Sequence, residues 1–355
     1  MTNPAGAHMR AEIFEQPASL QQLINHAGVV LQPVAQAARD CNFAMLAARG
    51  SSDNASTYGR YLLEGLAGLP TALAAPSLYT LYNTPPRLRN SLVIGVSQSG
   101  AAADVIAVLD EGRRQGAVTL AITNTAGSPM TQAADHVLLL NAGVEKALAA
   151  TKTVTGQCAA YALLAANLAP QSSLKNDLQL LPAYVENVLK LDGALTHAAQ
   201  AWEGIERVVV IGRGYTYGAS EEIALKMKEI CFIAAQAYSA ADFLHGPLAM
   251  IEPGYPMMVL LNHDETLEMT LQFVQRVLQR GGNVLCLSTS PAAAATKNLQ
   301  AGEGALHVLE IGEMPSLLAN VPFIVAGQLF AMHLSIKRGH NPDVSRGVTK
   351  VTVTH

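Results

Sequence analysis

Charge is scarce in this chain. Of its 355 residues only 14% are Asp, Glu, Lys or Arg, against 50% hydrophobic. The net charge is −4 and no run of five Lys or Arg occurs. That balance argues against nucleic acid or an acidic membrane surface as a partner. The four cysteines, Cys41, Cys158, Cys231 and Cys286, are far apart and form no CxxC. A zinc knuckle or redox dithiol is therefore not indicated, and buried thiols in a reducing compartment, the cytoplasm, are expected. The opening MTNPAGAHMRAEIFEQ lacks the apolar core of a signal peptide. The ten histidines are scattered, with no HExxH, so neither a metal nor a cofactor is expected. GxxxxGK[ST] is absent too. Gly212–Gly218 is one residue too long for GxGxxG and lacks a clear acidic partner about twenty residues on.

What the chain does have is length for two domains and a surplus of apolar residues for a large core and a subunit interface. Met314–Ile336 carries no formal charge and is long enough to span a bilayer. It contains Pro315, Asn320, Pro322, Gln328 and His333, so a buried helix is expected there instead.

Short apolar runs alternate with longer helical stretches. Strands are expected at Phe43–Ala47, Leu92–Val96, Thr119–Thr123 and Val137–Leu140, and again at Arg207–Ile211, Met257–Leu261, Val284–Ser288 and Leu306–Leu309. Their starts, 43, 92, 119, 137 and 207, 257, 284, 306, step by 49, 27, 18 and by 50, 27, 22. One rhythm repeated means a duplicated α/β domain. Continuous apolar strands separated by helices imply parallel sheets covered on both faces. Glu12–Asp40 reads as an amphipathic helix and Ser172–Ala201 as a connecting helix. The Gly- and Pro-broken tail from Arg338 to His355 reads as extended and mobile.

Ligands of open parallel sheets bind beyond the carboxyl ends of the strands. In the first half those ends read Arg49-Gly50-Ser51-Ser52-Asp53-Asn54, Ser97-Gln98-Ser99-Gly100 and Thr123-Asn124-Thr125, followed by Ala149-Ala150-Thr151-Lys152-Thr153. Hydroxyls, amides and glycines before helix N-termini suit an anion such as a phosphate. Taken singly, each Ser or Thr is better read as an N-cap; it is several such ends converging on one crevice that favours the anion. The corresponding loop of the second half, Asn262-His263-Asp264-Glu265, lacks the serines, so a second equivalent phosphate site is not expected.

The second half has titratable groups instead. Glu222, Lys226 and Glu229 fall at i, i+4 and i+7, on one helix face. Spacing alone favours an exposed Glu–Lys–Glu ladder of modest stabilising value. His245, sixteen residues past Glu229 and before Gly246-Pro247, sits at a loop where proton transfer is feasible.

Together, ArgGlySerSer at 49–52, SerGlnSerGly at 97–100, AlaThrLysThr at 150–153, GluIleAlaLeuLysMetLysGlu at 222–229, HisGlyProLeu at 245–248 and Lys350 resemble the sugar isomerase (SIS) domain family. Within it the resemblance is to the isomerase half of glucosamine-6-phosphate synthase and to the SIS-type deaminases. It spans nearly the whole chain. The resemblance implies two tandem three-layer α/β/α SIS domains. The segments expected are a helical segment at 1–40, SIS domains at 41–195 and 196–337, and a tail or lid at 338–355. Ser51, Ser52, Ser97, Gln98, Ser99 and Thr151 would bind the sugar phosphate, with Glu222 also at the site. Glu229 would be the base moving a proton between C1 and C2, and Lys226 its electrostatic support. His245 would assist ring opening from a partner subunit of a homodimer. Lys350 would contact, or form an imine with, the open-chain sugar.

Two departures matter. Where the synthase pattern continues Glu-Thr after SQSG, this chain has Ala101 and Ala102, losing one phosphate donor. The chain starts Met-Thr-Asn, without the N-terminal Cys nucleophile of a glutamine-hydrolysing domain. The expected reaction is thus release of ammonia: glucosamine 6-phosphate plus water giving fructose 6-phosphate. The alternatives are a fructosamine-6-phosphate deglycase, a galactosamine-6-phosphate deaminase, a synthase subunit served by a separate glutaminase, or a non-catalytic sugar-phosphate-binding protein.

Overall fold

The apolar runs pair as parallel strands in two sheets of five. The computed structural model describes residues 4–344 together with 346 and 347. The chain divides into two compact units, one built from Glu15–Pro182 and the other from Ala183–Val344 with the residues up to Phe14.

In the first unit, β1 (Phe43–Ala47), β2 (Thr71–Leu73), β3 (Ser91–Ser97), β4 (Val118–Thr123) and β5 (His136–Leu139) lie in the order β2-β1-β3-β4-β5. In the second, β6 (Arg207–Gly212), β7 (Ala234–Ser239), β8 (Pro256–Leu261), β9 (Asn283–Ser288) and β10 (Ala305–Glu310) lie in the order β10-β9-β8-β6-β7. With β6 matched to β1, the two orders are the same, and each pairing is parallel. Duplication, inferred from spacing, is thus visible in topology. The central strands β3 and β8 are buried along their whole length, as expected of strands covered on both faces.

Helices cover those faces. They are α1 (Ala7–Ala37), α2 (Ser51–Ala67), α3 (Ser77–Thr80), α4 (Ala103–Arg114), α5 (Pro129–Ala133), α6 (Lys152–Leu168), α7 (Leu174–Asp177) and α8 (Leu181–Leu189). The rest are α9 (Asp192–Ala201), α10 (Tyr217–Cys231), α11 (Ala240–Leu244), α12 (Leu267–Gln279), α13 (Ser290–Ala295) and α14 (Asn320–Lys337). In the first unit α2 packs on α6, closely enough that a Cβ on Gly59 would stand 2.5 Å from the Tyr161 ring. α14 is apolar on all sides because it is buried, packed against α10 and α9. The buried-helix reading of Met314–Ile336 holds for it. No helix among the described residues is long and apolar enough to cross a membrane.

Four expectations need correction. β2 and β7 were not anticipated: β2 is three residues long, and β7, AAQAYS, has no β-branched residue. The supposed single helix Ser172–Ala201 is three pieces, α7, α8 and α9, with Pro182 at the start of α8 and a break at Lys190-Leu191. α1 begins at Ala7, ahead of Glu12. The start of the tail is anchored, not mobile. Asn341 Oδ1 accepts from the Gly6 N–H at 3.0 Å, and the Asp343 carboxylate accepts from the His8 and Met9 N–H groups at 2.8 and 2.9 Å, capping α1. The lid itself, with Lys350, lies outside the described residues.

Candidate functional site

A 2-1-3-4-5 strand order reverses between β1 and β3, and the crevice beyond their carboxyl ends is where such folds take ligands. Two serine loops lie there, Arg49–Ser52 after β1 and Ser97–Gly100 after β3. Gly50 leaves β1 with φ +57° so that Ser51 can open α2. Gly100 has φ +64°, and a Cβ on it would overlap the Ser128 hydroxyl. Only glycine fits.

The serines behave partly as turn formers. Ser97 Oγ accepts from the Gly100 N–H at 3.2 Å and Ser99 Oγ from the Ala101 N–H at 3.3 Å. Each hydroxyl keeps its own proton to donate. Neither α2 nor α4 is capped by the side chain of the residue before it, but Asp104, in the first turn of α4, takes the Val105 N–H at 2.9 Å and partly offsets the positive end of that helix. The Gln98 carbonyl is held by the Asn124 N–H at 3.1 Å and the Thr123 and Thr125 hydroxyls at 3.3 Å. The Asn124 side chain in turn takes the Ala142 N–H and donates to Gly143 O, both at 2.8 Å. One asparagine thereby joins the SQSG loop to the loop after β5.

Thr151 is placed differently from the serines. It is fully buried, and both its N–H and its hydroxyl donate to Glu145 Oε1 at 3.0 Å. Glu145 also accepts from the Thr153 N–H and hydroxyl, at 3.0 and 2.8 Å. The positive end of α6 is thus taken by an internal carboxylate. Sequence reasoning missed Glu145 because a single glutamate in a loop carries no periodic signal, and it missed Ser128 for the same reason.

Arg49 ties the two serine loops together. Its Nε donates to Asp104 Oδ2 at 2.6 Å, across from the end of β1 to the first turn of α4. Asp53, in the first turn of α2, has its carboxyl pushed up by burial, partly offset by the Arg49 charge.

In the second unit, α10 carries Glu222, Lys226 and Glu229. The ladder is not an exposed one. Glu222 and Lys226 side chains are 0% exposed, Glu229 36%. Lys226 Nζ lies 3.2 Å from Glu222 Oε1 and donates to Glu229 Oε2 at 2.5 Å. Burial works against the ammonium, but the two carboxylates outweigh it and hold its pKa above the ordinary lysine value. Lys226 therefore stays charged and fixes one oxygen of a carboxylate that still reaches solvent. His245 follows α11 on an exposed turn, its N–H bonded to Asp242 O at 3.1 Å, before Gly246 with φ +131°. Among the described residues no hydrogen bond joins His245 to α10.

The loop after β8 is filled by its own acid. Asp264 accepts from the Thr266 N–H and hydroxyl and from Asn262 Nδ2, at 2.9, 2.6 and 2.8 Å. A carboxylate so placed disfavours an anion. Among the described residues, no group of three or more His, Cys, Asp or Glu is placed to hold a metal ion.

The SIS domain model matches residues 39–167 and 204–302, and the chain belongs to that family. It is 33% identical over 361 residues to the glutamine–fructose-6-phosphate aminotransferase (isomerizing) of Thermus thermophilus, covering 98% of this chain and 59% of that protein. This chain thus spans well under two thirds of that relative. Among solved structures, the C-terminal domain of glucosamine-fructose-6-phosphate aminotransferase from Francisella tularensis superposes with a TM-score of 0.84 at 28% identity, over 94% of this chain and 96% of that one. A glucosamine-6-phosphate deaminase from Thermotoga maritima shares the fold, with a TM-score of 0.77 at 19% identity over 98% and 100% of the two chains.

Proposed function

We propose that this chain converts glucosamine 6-phosphate and water to fructose 6-phosphate and ammonia. The observation that carries this is Glu229, held by a buried, permanently charged Lys226 yet open to solvent. A carboxylate so fixed is suited to moving a proton between adjacent carbons. In the open-chain amino sugar, Glu229 removes the C2 proton and returns it to C1, while the C1 oxygen gains a proton and the C2 amine loses one. The product is an imine at C2. Water adds there and ammonia leaves, giving the ketone. Ser51, Ser52, Ser97, Gln98 and Ser99, with the ends of α2 and α4, hold the phosphate.

Cys158, Cys231 and Cys286 are buried, and burial pushes the thiols of Cys231 and Cys286 up to about 12. Cys41 is half-buried and its thiol is also raised, by burial and by Asp40. Thiols so raised are poor nucleophiles. We further propose a cytoplasmic homodimer that needs no cofactor. His245, on its exposed turn, opens the sugar ring in the second copy's site, and Lys350 contacts the open chain.

The test is incubation with glucosamine 6-phosphate in the absence of glutamine. Ammonia and fructose 6-phosphate should appear in equal amounts. Glu229→Gln should still bind the sugar phosphate but lose turnover by about 100-fold or more. Turnover only of fructosamine 6-phosphates, or full activity in Glu229→Gln, would overturn the reading.

A further inference from the structure

The serine loops supply neutral donors, while a phosphate monoester carries roughly −1.5 to −2 charges near neutral pH. Of the residues in the two loops and the helix turns they open, 49–54 and 97–104, one is a cation. That residue is Arg49.

Its position is built. β1 and β3 are paired, with Ala47 opposite Gly95, so the loops that leave them are neighbours at the strand-order reversal. Arg49 lies in the first loop, and its partner Asp104 opens the helix after the second. Asp104 is 3% exposed and its Oδ1 accepts from the Val105 N–H at 2.9 Å. That carboxylate is therefore fixed, and the 2.6 Å bond from Nε fixes the guanidinium plane in turn. Only one edge of the fork is used. Among the described residues the two Nη groups of Arg49 donate to no protein atom, and the side chain is 54% exposed.

We infer that Arg49 is the charged member of the phosphate cradle, held on Asp104 through Nε and offering both Nη groups to the phosphate oxygens. A planar fork with two parallel donors matches two oxygens of a phosphate. The arrangement also makes up for Ala102, which stands where the synthase pattern has a phosphate-binding threonine. Asp53 opposes it. It lies in the first turn of α2, where the Arg49 charge acts on it, and adds negative charge that disfavours an incoming anion. Asp104 adds no such repulsion, because Arg49 and the positive end of α4 neutralise it.

The inference rests on the proposed cradle, and the test separates the two. Calorimetric titration with inorganic phosphate and with glucosamine 6-phosphate is run on wild type, Arg49→Gln, Arg49→Lys and Asp53→Asn. Arg49→Gln should bind both ligands about 10- to 100-fold more weakly. In turnover, the loss should fall mainly on KM. Arg49→Lys, a point charge without the fork, should fall in between. Asp53→Asn should bind more tightly than wild type. If Arg49→Gln melts at lower temperature but binds both ligands as wild type does, Arg49 is only a strut and the inference fails. If wild type binds neither ligand, the cradle itself is misread. Binding with no turnover overturns the proposed reaction and leaves Arg49 in place.

Discussion

Replacing Lys226 by Met tests the electrostatics of α10 directly. Met keeps the side chain out to Cε and removes the charged terminal nitrogen. The cation lies 3.2 Å from Glu222 and 2.5 Å from Glu229, and Glu222 is 0% exposed. Without Lys226, an ionised Glu222 remains in the interior without that cation beside it. Breaking one side of a buried pair costs about 3–5 kcal/mol. Against the roughly 5–15 kcal/mol that holds a domain together, that is a large fraction. Removing both charges is milder, since a neutral pair of similar volume replaces the buried ions. The double variant Glu222→Gln/Lys226→Met should thus recover most of the loss. Urea denaturation at pH 8 and pH 5.5 is the assay. In Lys226→Met the buried Glu222, having lost this cation, should have a folded pKa above its unfolded value. Its penalty is full above the folded pKa and fades as the pH falls toward the unfolded one. The variant should therefore regain stability at pH 5.5 relative to wild type. In wild type the sign is opposite. The raised Lys226 contributes stability that is present below the unfolded lysine pKa and lost as pH rises through the folded one. A loss under about 1 kcal/mol in Lys226→Met, or a double variant no better than the single, would refute the reasoning.

Gly100→Ala places a side chain against the Ser128 hydroxyl at a left-handed φ. It should distort the SQSG loop and abolish phosphate binding by titration while the second unit stays folded. Asp192 accepts from Arg10 and from His333 at 2.7–3.1 Å; burial raises its pKa, but those two partners outweigh burial and leave it below the usual carboxylate range. Its contribution is present above the unfolded Asp pKa, about 4, and is lost as pH falls through the folded one. Asp192→Asn should therefore be less stable than wild type at pH 7, and the gap in midpoint should close below about pH 4. In native protein at pH 8, a disulfide reagent should leave Cys231 and Cys286 unmodified and label Cys41 slowly, as their raised thiols imply. Fast labelling of either buried thiol would contradict the packing around α10 and β9.

The strands were legible where both faces are buried, because burial on both sides forces an unbroken apolar run, as in Leu92–Val96 and Met257–Leu261. β7 was hidden for the converse reason. Its alternate residues are exposed, and Ala, Gln and Tyr carry little strand signal. The serine loops stood out because hydroxyls and glycines at strand ends have few other uses. Their wiring did not. That Asn124 grips the loop after β5, or that Thr151 serves Glu145, depends on residues 18–19 and 6 positions away that only folding brings close. The α10 triad shows the limit most plainly. Spacing puts Glu222, Lys226 and Glu229 on one face but does not say which face turns inward, and it is the inward turn that makes the lysine a fixed charge.

Ionic strength should act on the two kinds of charge in opposite measure. At physiological salt the screening length is about 8 Å in solvent, and counterions do not enter a packed interior. The Glu222–Lys226 pair is sealed from them, whereas a half-exposed guanidinium at the mouth of the crevice is not. If the proposed function holds, salt would thus loosen capture of the doubly charged ligand and spare the pair beside Glu229. A protein arranged this way tolerates a salty medium by losing affinity first and competence last.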